Sequence, residues 1–142
     1  MSIDPEPRPV DAGTHLRIAR PSRAPAAVER FYVAGLGLAV LYRATAAGPA
    51  EHDLLMLGWP EASWHLEIVS GPGLAVRPGP TAEDLLVLYL AGPLDDALVT
   101  RLEAAGGKRV SQGPYWDRWG VTFEDPDGYR LVLCTRDWSN TG

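Results

Sequence analysis

A predicted β-hairpin from Gly120 to Cys134 constrains the fold more than any other segment of the chain. Val121 and Phe123 alternate with small or polar residues, which is typical of a strand with one buried face. The turn sequence Asp125-Pro126-Asp127-Gly128 follows. Proline fixes its own φ, aspartate bonds nearby backbone, and glycine tolerates a positive φ. The residues after the turn alternate again, so the segment predicts strand, tight turn and strand.

The order of predicted elements repeats along the chain. A strand begins at His15 and a helix opens at Pro25, and the same order recurs with a strand from Asp84 and a helix from Pro93. Three further strands follow each helix, and an internal repeat of this kind strongly constrains the fold. The sequence therefore predicts an α+β fold of two βαβββ modules. The expected divisions are an N-terminal arm (1–13), a first module (14–69), a Pro/Gly linker (70–82), a second module (83–136) and a C-terminal tail (137–142).

Composition excludes several classes of partner. The 142 residues carry a net charge of -5 without a basic cluster, which argues against nucleic acid and anionic membrane surfaces. No apolar run is long enough to span a membrane, and the N-terminus lacks a signal-peptide pattern, so a cytoplasmic location is expected. Cys134 is the single cysteine, which excludes an internal disulfide.

The hairpin motif Phe123-Glu124-Asp125-Pro126-Asp127-Gly128, together with the duplicated module, resembles the vicinal oxygen chelate superfamily. Glyoxalases, extradiol dioxygenases, fosfomycin-resistance enzymes and bleomycin-binding proteins belong to that group. The resemblance implies paired half-barrels around a small-molecule cleft, and a homodimer. It also implies four metal-ligand positions, on the first and last strands of each module.

These four positions fall on His15, Glu67, Asp84 and Val132. Valine has no lone pair to give, so the pattern predicts an incomplete metal site and no bound cofactor. One imidazole and two carboxylates would still suit Zn²⁺, Mn²⁺ or Fe²⁺, which leaves a divalent metal as the alternative. His15 and Glu67 would otherwise be ordinary polar residues of a wet cleft.

Strand alternation extends the predicted cleft beyond the metal positions. Two arginines from different strands would face a carboxylate, phosphate or enolate, unless they pair with Glu67 or Asp84. Leu86, Leu88 and Leu90 would form an apolar wall, and two tryptophans a stacking rim, unless one tryptophan pins its loop to the core. The predicted ligand-binding residues are Arg17, Leu86, Leu88, Trp116, Trp119 and Arg130.

Two classes of function follow from this cleft. The first is a glyoxalase- or bleomycin-resistance-like protein that binds a flat, partly apolar, anionic small molecule. The alternative is a metal-dependent lyase, isomerase or dioxygenase that uses His15, Glu67 and Asp84, or a metal-free enzyme. In an enzyme, His65 and Glu67 are the predicted catalytic residues, with either as general base.

Overall fold

The computed structural model describes residues 9–142, so the predicted arm at residues 1–8 lies outside the described part. Eight strands and three α-helices are present in that part. The strands are β1 (Leu16–Pro21), β2 (Ala39–Ala44), β3 (Asp53–Gly58), β4 (Trp64–Ser70), β5 (Leu85–Tyr89), β6 (Lys108–Val110), β7 (Gly120–Glu124) and β8 (Arg130–Cys134). The α-helices are α1 (Pro25–Arg30), α2 (Asp96–Ala104) and α3 (Pro114–Trp119), and a π-helical turn (Phe31–Leu36) continues α1.

The strands form two four-stranded sheets with the same topology. Their orders are β1-β4-β3-β2 and β5-β8-β7-β6. In each sheet the first strand is parallel to the last strand of its module, and the other neighbours are antiparallel. The predicted α+β fold of two βαβββ modules is confirmed, and neither sheet closes into a barrel within residues 9–142.

The helices begin and end differently from the sequence prediction. The sequence placed the end of the first helix at Gly35 and Gly37; the π-helical turn carries the helix past Gly35 to Leu36, and Gly37 ends it with φ 97°. The second helix begins at Asp96 rather than Pro93, because the Asp95 side chain accepts a hydrogen bond from the Ala97 N–H at 2.9 Å. No helix in the described chain is both long and apolar enough to cross a membrane.

The segment before the final hairpin is also helical, although the sequence suggested a loop. Pro114 stands at the start of α3, where its missing N–H is no loss. The Asp117 carboxylate accepts a hydrogen bond from the Gln112 N–H at 2.9 Å and another from the Ser111 hydroxyl. These bonds fix the approach to the helix and hold Trp116 and Trp119 on one short element.

One hydrophobic core joins both modules. Side chains from β3, β4, β7 and β8 point to the helical side of their sheets, where the π-helical turn and α2 pack together. Complete burial of one such side chain contributes about 1.5–3 kcal/mol, so this core is the main source of stability. Its most buried members are Val28, Phe31, Tyr32, Leu57, Leu66, Leu102, Phe123, Leu131 and Leu133.

A polar network also connects the two modules. The Tyr32 hydroxyl donates to Asp125 Oδ2 at 2.7 Å, from the first module to the turn of the final hairpin. The Arg20 guanidinium lies 4.5 Å from the Tyr129 ring centroid, and the Arg23 N–H donates to Asp127 Oδ1 at 3.0 Å. The Asp-Pro-Asp-Gly turn therefore anchors one module to the other as well as joining two strands.

Candidate functional site

The strand register separates the core side of the first sheet from its open side. In the parallel β1–β4 ladder Arg17 pairs with His65 and Ala19 with Glu67, while Leu66 belongs to the core. Side chains of register partners point to the same face, and neighbours along a strand point to opposite faces. Arg17, His65 and Glu67 therefore share one face, which we call the first-module face.

Two histidines meet at the edge of the first-module face. His15 Nε2 and His65 Nδ1 are 2.7 Å apart, within hydrogen-bond distance, and the ring centroids are separated by 4.9 Å. His15 is exposed, whereas His65 retains only 9% exposure. Burial, followed by the charges of His15 and Arg17, lowers the pKa of His65, although Glu67 opposes the shift. His65 is therefore neutral near pH 7.

The second nitrogen of His65 has no hydrogen-bond partner among residues 9–142. Nε2 is buried and makes no hydrogen bond to the described residues. Buried polar atoms in folded proteins are almost always paired, because an unpaired one carries a desolvation cost of about 1–3 kcal/mol. His65 Nε2 lies on a sheet face outside the core. A hydrogen bond from this atom to a bound molecule would remove the desolvation cost.

Arg17 and Glu67 form an ion pair on the same face. The shortest N–O distance is 3.5 Å, and the side chains are 52% and 8% exposed. The guanidinium therefore keeps donors free for a ligand, while the carboxylate is held beneath it. The contact is long and the guanidinium is half-exposed, so Arg17 can neutralise the buried Glu67 and still offer further N–H donors.

The corresponding face of the second module is closed. Val132 and Cys134 are fully buried, and Arg130 is 19% exposed. The Arg130 guanidinium donates to Gln112 Oε1 at 2.6 Å and contacts Glu124 Oε1 at 3.4 Å. Arg130 is thus engaged in the internal pairing that the sequence left open as an alternative, although with Glu124 rather than with Glu67 or Asp84.

The predicted leucine wall lies on the opposite side of the second sheet. β5 pairs Leu86 with Leu131 and Leu88 with Leu133, and both leucines pack against the hydrophobic core. Val87 is the register partner of Val132. The sequence interpretation directed Leu86 and Leu88 into the same cleft as Arg130, and that face assignment is wrong by one residue.

The three predicted metal ligands do not converge. His15 bonds to His65 and Glu67 pairs with Arg17, whereas Asp84 Oδ2 accepts the Thr81 N–H at 2.6 Å. That backbone bond lowers the pKa of Asp84. Within residues 9–142, no three His, Cys, Asp or Glu side chains are grouped so that they could hold a metal ion. The described donor set therefore does not fit a divalent metal centre.

The register also changes which residue matches His15. Ala19 faces Glu67 in the first module, and Val87 faces Val132 in the second. His15 lies four residues before Ala19, and Glu83 lies four residues before Val87. Asp84, which directly precedes β5, is therefore one position away from the residue that corresponds to His15.

The two predicted rim tryptophans stand in different surroundings. Trp119 has the Arg118 guanidinium 4.8 Å and the Arg136 guanidinium 4.6 Å from its ring centroid, so arginines already cover it. Trp116 packs edge-to-face with Tyr115 at 5.0 Å and is half-buried. The two rings therefore differ in their neighbours, which are two guanidinium groups for Trp119 and a tyrosine ring for Trp116.

The sequence placed His65 in the cleft but did not anticipate its contact with His15. A signal was present, because His15 and His65 are two of only three histidines, and His15 directly precedes β1 at the parity of Arg17, the register partner of His65. The role of Gln112 in holding Arg130 had no such signal. The contact between Gln112 and Arg130 depends on the loop between β6 and α3, which lies outside the final hairpin.

Comparison with known proteins gives matches over both modules. Residues 16–69 match the family model described as the YycE-like N-terminal domain, and residues 83–135 match the YycE-like C-terminal domain. YycE of Bacillus subtilis, an uncharacterized protein, is 38% identical over 120 residues, which cover 83% of this chain and 85% of YycE. The crystal structure of YycE has a TM-score of 0.78 at 32% identity, covering 92% of this chain and 95% of that one.

More distant structures share the fold alone. Glyoxalase I of Leishmania major has a TM-score of 0.64 at 17% identity, with 84% of each chain covered. The fosfomycin resistance protein FosX of Listeria monocytogenes, solved with Mn(II) and 1S,2S-dihydroxypropylphosphonic acid, has a TM-score of 0.59 at 14% identity. That match covers 87% of this chain and 91% of FosX.

Proposed function

Because the chain belongs to the YycE-like family of the vicinal oxygen chelate superfamily, we propose that its first-module face binds a flat, partly apolar small molecule with an anionic group. The observation that carries this proposal is the half-exposed Arg17, loosely paired with a buried carboxylate on that face. A guanidinium is suited to a carboxylate, phosphate or enolate because its planar donors match two oxygens at once.

The surroundings of Arg17 supply the apolar part of the proposed site. Tyr42 is the register partner of Met56, and Met56 is the partner of Glu67, so both extend the first-module face. Tyr42 is 54% exposed, and Met56 is half-buried. An aromatic ring and a polarisable thioether favour flat, apolar ligand surfaces.

The test compares two ligands that differ only in charge. Binding of 2-naphthoate and 2-naphthamide to the wild type and to Arg17→Ala is measured by isothermal titration calorimetry. A charge-assisted hydrogen bond is worth about 1.5–3 kcal/mol, so Arg17→Ala should weaken 2-naphthoate by about one to two orders of magnitude. The amide should be almost unaffected.

Arg43→Ala is the matched control. Arg43 is 55% exposed and paired with Glu29 of α1 at 2.9 Å, so it resembles Arg17 in exposure and ion pairing but lies on the helical side. Its removal should leave both affinities unchanged. Equal losses in the two variants, or a naphthoate affinity that does not depend on Arg17, would contradict the proposal.

A second candidate is a proton-transfer enzyme, favoured by the buried neutral His65 on the same face. An imidazole with a lowered pKa is unprotonated near neutral pH and can accept a proton from a bound acid. Glu67, held beneath Arg17, is the other group that could do so. Solvent deuterium incorporation into a bound carbonyl compound, lost in His65→Gln, would favour this candidate over simple binding.

A further inference from the structure

We propose that a second ligand site lies on the helical side of the first sheet, and that it takes a small molecule with a protonated amino group and a short apolar part. The site is a cavity of about 240 Å³ between α1 and the strands β2, β3 and β4. It lies across the sheet from the first-module face, so the inference goes beyond the proposed function and does not depend on it.

The strand register directs three polar side chains to this side of the sheet. Asp53 pairs with Ser70, and Arg43 pairs with Leu55. Leu55 belongs to the hydrophobic core, and Ser70 stands two residues after the core residue Ile68. Residues two apart on a strand point to the same face, as do register partners. Arg43, Asp53 and Ser70 therefore point to the helical side, and each of them lines the cavity.

The charged groups around the cavity leave one carboxylate without a cation. Glu29 on α1 pairs with Arg43 on β2, with Oε1 and Nη1 2.9 Å apart, and both residues line the cavity. Asp53 forms no salt bridge with any residue in the range 9–142. The cavity therefore has a surplus of negative charge, and Coulomb attraction favours a cationic ligand over a neutral or anionic one.

Asp53 and Ser70 supply oxygen acceptors for such a cation. Asp53 Oδ1 accepts the Ala46 N–H at 2.7 Å, which fixes the carboxylate, whereas Oδ2 has no hydrogen-bond donor within residues 9–142. A Cβ on Gly71 would lie 3.2 Å from Oδ2, so this oxygen lies beside the backbone that follows Ser70. Ser70 is only 6% exposed, and its hydroxyl makes no hydrogen bond to the described chain. An ammonium group has three N–H donors and no acceptor, which matches a set of unpaired acceptors.

The rest of the lining limits the size and polarity of the ligand. Pro25, Ala26 and Leu55 contribute apolar surface to the cavity. Sites for drug-sized ligands measure about 300–1,000 Å³, so this cavity suits a smaller molecule with one ring or a short chain. An alkyl or aryl amine of that size has N–H donors for Asp53 and Ser70 and a carbon skeleton to pack against α1.

The experiment compares benzylamine, a cation at pH 7, with benzyl alcohol, a neutral molecule of nearly the same shape. Binding is followed by amide NMR titration, in which the Ser70 and Gly71 resonances should shift. The wild type should bind the amine about tenfold more tightly, since a hydrogen bond to a charged group is worth about one decade in affinity or more. Asp53→Asn should remove this preference, because the amide oxygen still accepts the Ala46 N–H but carries no charge. Ser70→Ala should weaken the amine about fivefold.

Asp95→Asn is the matched control, because Asp95 Oδ1 also accepts one backbone N–H, from Ala97 at 2.9 Å, and lies outside the cavity. Its preference for the amine should equal that of the wild type. Ala26→Leu fills the cavity from an exposed position on α1, so it should weaken both probes and tests the site without a change at Asp53.

Three results would overturn the inference: equal affinity of the wild type for the amine and the alcohol, a preference that survives in Asp53→Asn, or no binding of benzylamine. Binding of 2-naphthoate should be the same in Asp53→Asn as in the wild type. A loss of benzylamine binding in Asp53→Asn that leaves 2-naphthoate unaffected therefore separates the two sites, and the failure of one is distinguishable from the failure of the other.

Discussion

Replacement of Tyr32 by phenylalanine tests the polar connection between the two modules. The side chain is fully buried in the π-helical turn, and its hydroxyl donates to Asp125 Oδ2 at 2.7 Å. Arg20 Nη1 lies 3.4 Å from the same hydroxyl. Tyr32→Phe keeps the ring in the core and removes only the oxygen, so the measured change reports the network rather than packing.

The expected loss of stability follows from the hydrogen bonds that Asp125 keeps and the one that it loses. Its Oδ1 still accepts the N–H groups of Asp127 and Tyr129, at 2.8 and 3.0 Å, but Oδ2 loses its one described donor. A buried acceptor that loses its partner costs about 1–3 kcal/mol, and more when it is charged. We expect Tyr32→Phe to lower the free energy of unfolding by about 2 kcal/mol. For a chain of this size, that corresponds to a fall in Tm of about 6 °C.

The assay is urea unfolding followed by tryptophan fluorescence, with Tyr42→Phe as the matched control. Tyr42 is 54% exposed on β2, and substitutions at such positions usually change stability by less than about 0.5 kcal/mol. The denaturant dependence should be the same in all three proteins, because the native fold and the exposed surface area are unchanged.

The loss should depend on pH. Burial raises the pKa of Asp125, while the bond from Tyr32 lowers it. An aspartate whose folded pKa exceeds the unfolded value costs stability as pH rises through that window. Removal of Tyr32 raises the folded pKa further, so the difference between wild type and Tyr32→Phe should be largest near pH 7. It should shrink as the pH falls into the acid range and Asp125 becomes protonated.

Two results would refute this reasoning. If Tyr32→Phe matches Tyr42→Phe to within about 0.5 kcal/mol at pH 7, the hydrogen bond makes no net contribution. If the loss is large but equal at pH 7 and in the acid range, then it comes from packing around the ring and not from the ionised carboxylate.

Two further predictions concern the second sheet and the metal. Gly120→Ala should destabilise the protein by more than about 2 kcal/mol in urea unfolding, because a Cβ at this position would overlap the Leu133 carbonyl oxygen. Gly48→Ala should be neutral, because a Cβ at that position would lie in open space. Equal effects of the two substitutions would contradict the steric argument. Elemental analysis of protein purified without chelator should find well under one equivalent of zinc, manganese or iron. The reason is that Val132 offers no metal ligand and the Asp84 carboxylate is hydrogen-bonded to Thr81. One tightly held equivalent of any of these metals would contradict the prediction.

The sequence determined the parts of the fold that depend on local chemistry and repetition. The Asp-Pro-Asp-Gly turn and the alternation around it predicted β7 and β8, which the structure contains. The recurrence of strand, proline-led helix and three strands predicted the two modules. Turn residues and period-two alternation act over a few positions, so they can be recognised without knowledge of what packs against them.

Tertiary structure decided which side chains are in contact. A shift of one residue in strand register was enough to change the face to which a side chain points. The sequence could not tell whether Glu83 or Asp84 corresponds to His15, and the choice sends Leu86 and Leu88 to the core or to the open face. Side chains alternate with period two, so one step of register inverts every assignment along a strand. The contact between His15 and His65 was likewise fixed by the pairing of β1 with β4, strands separated by more than forty residues of chain.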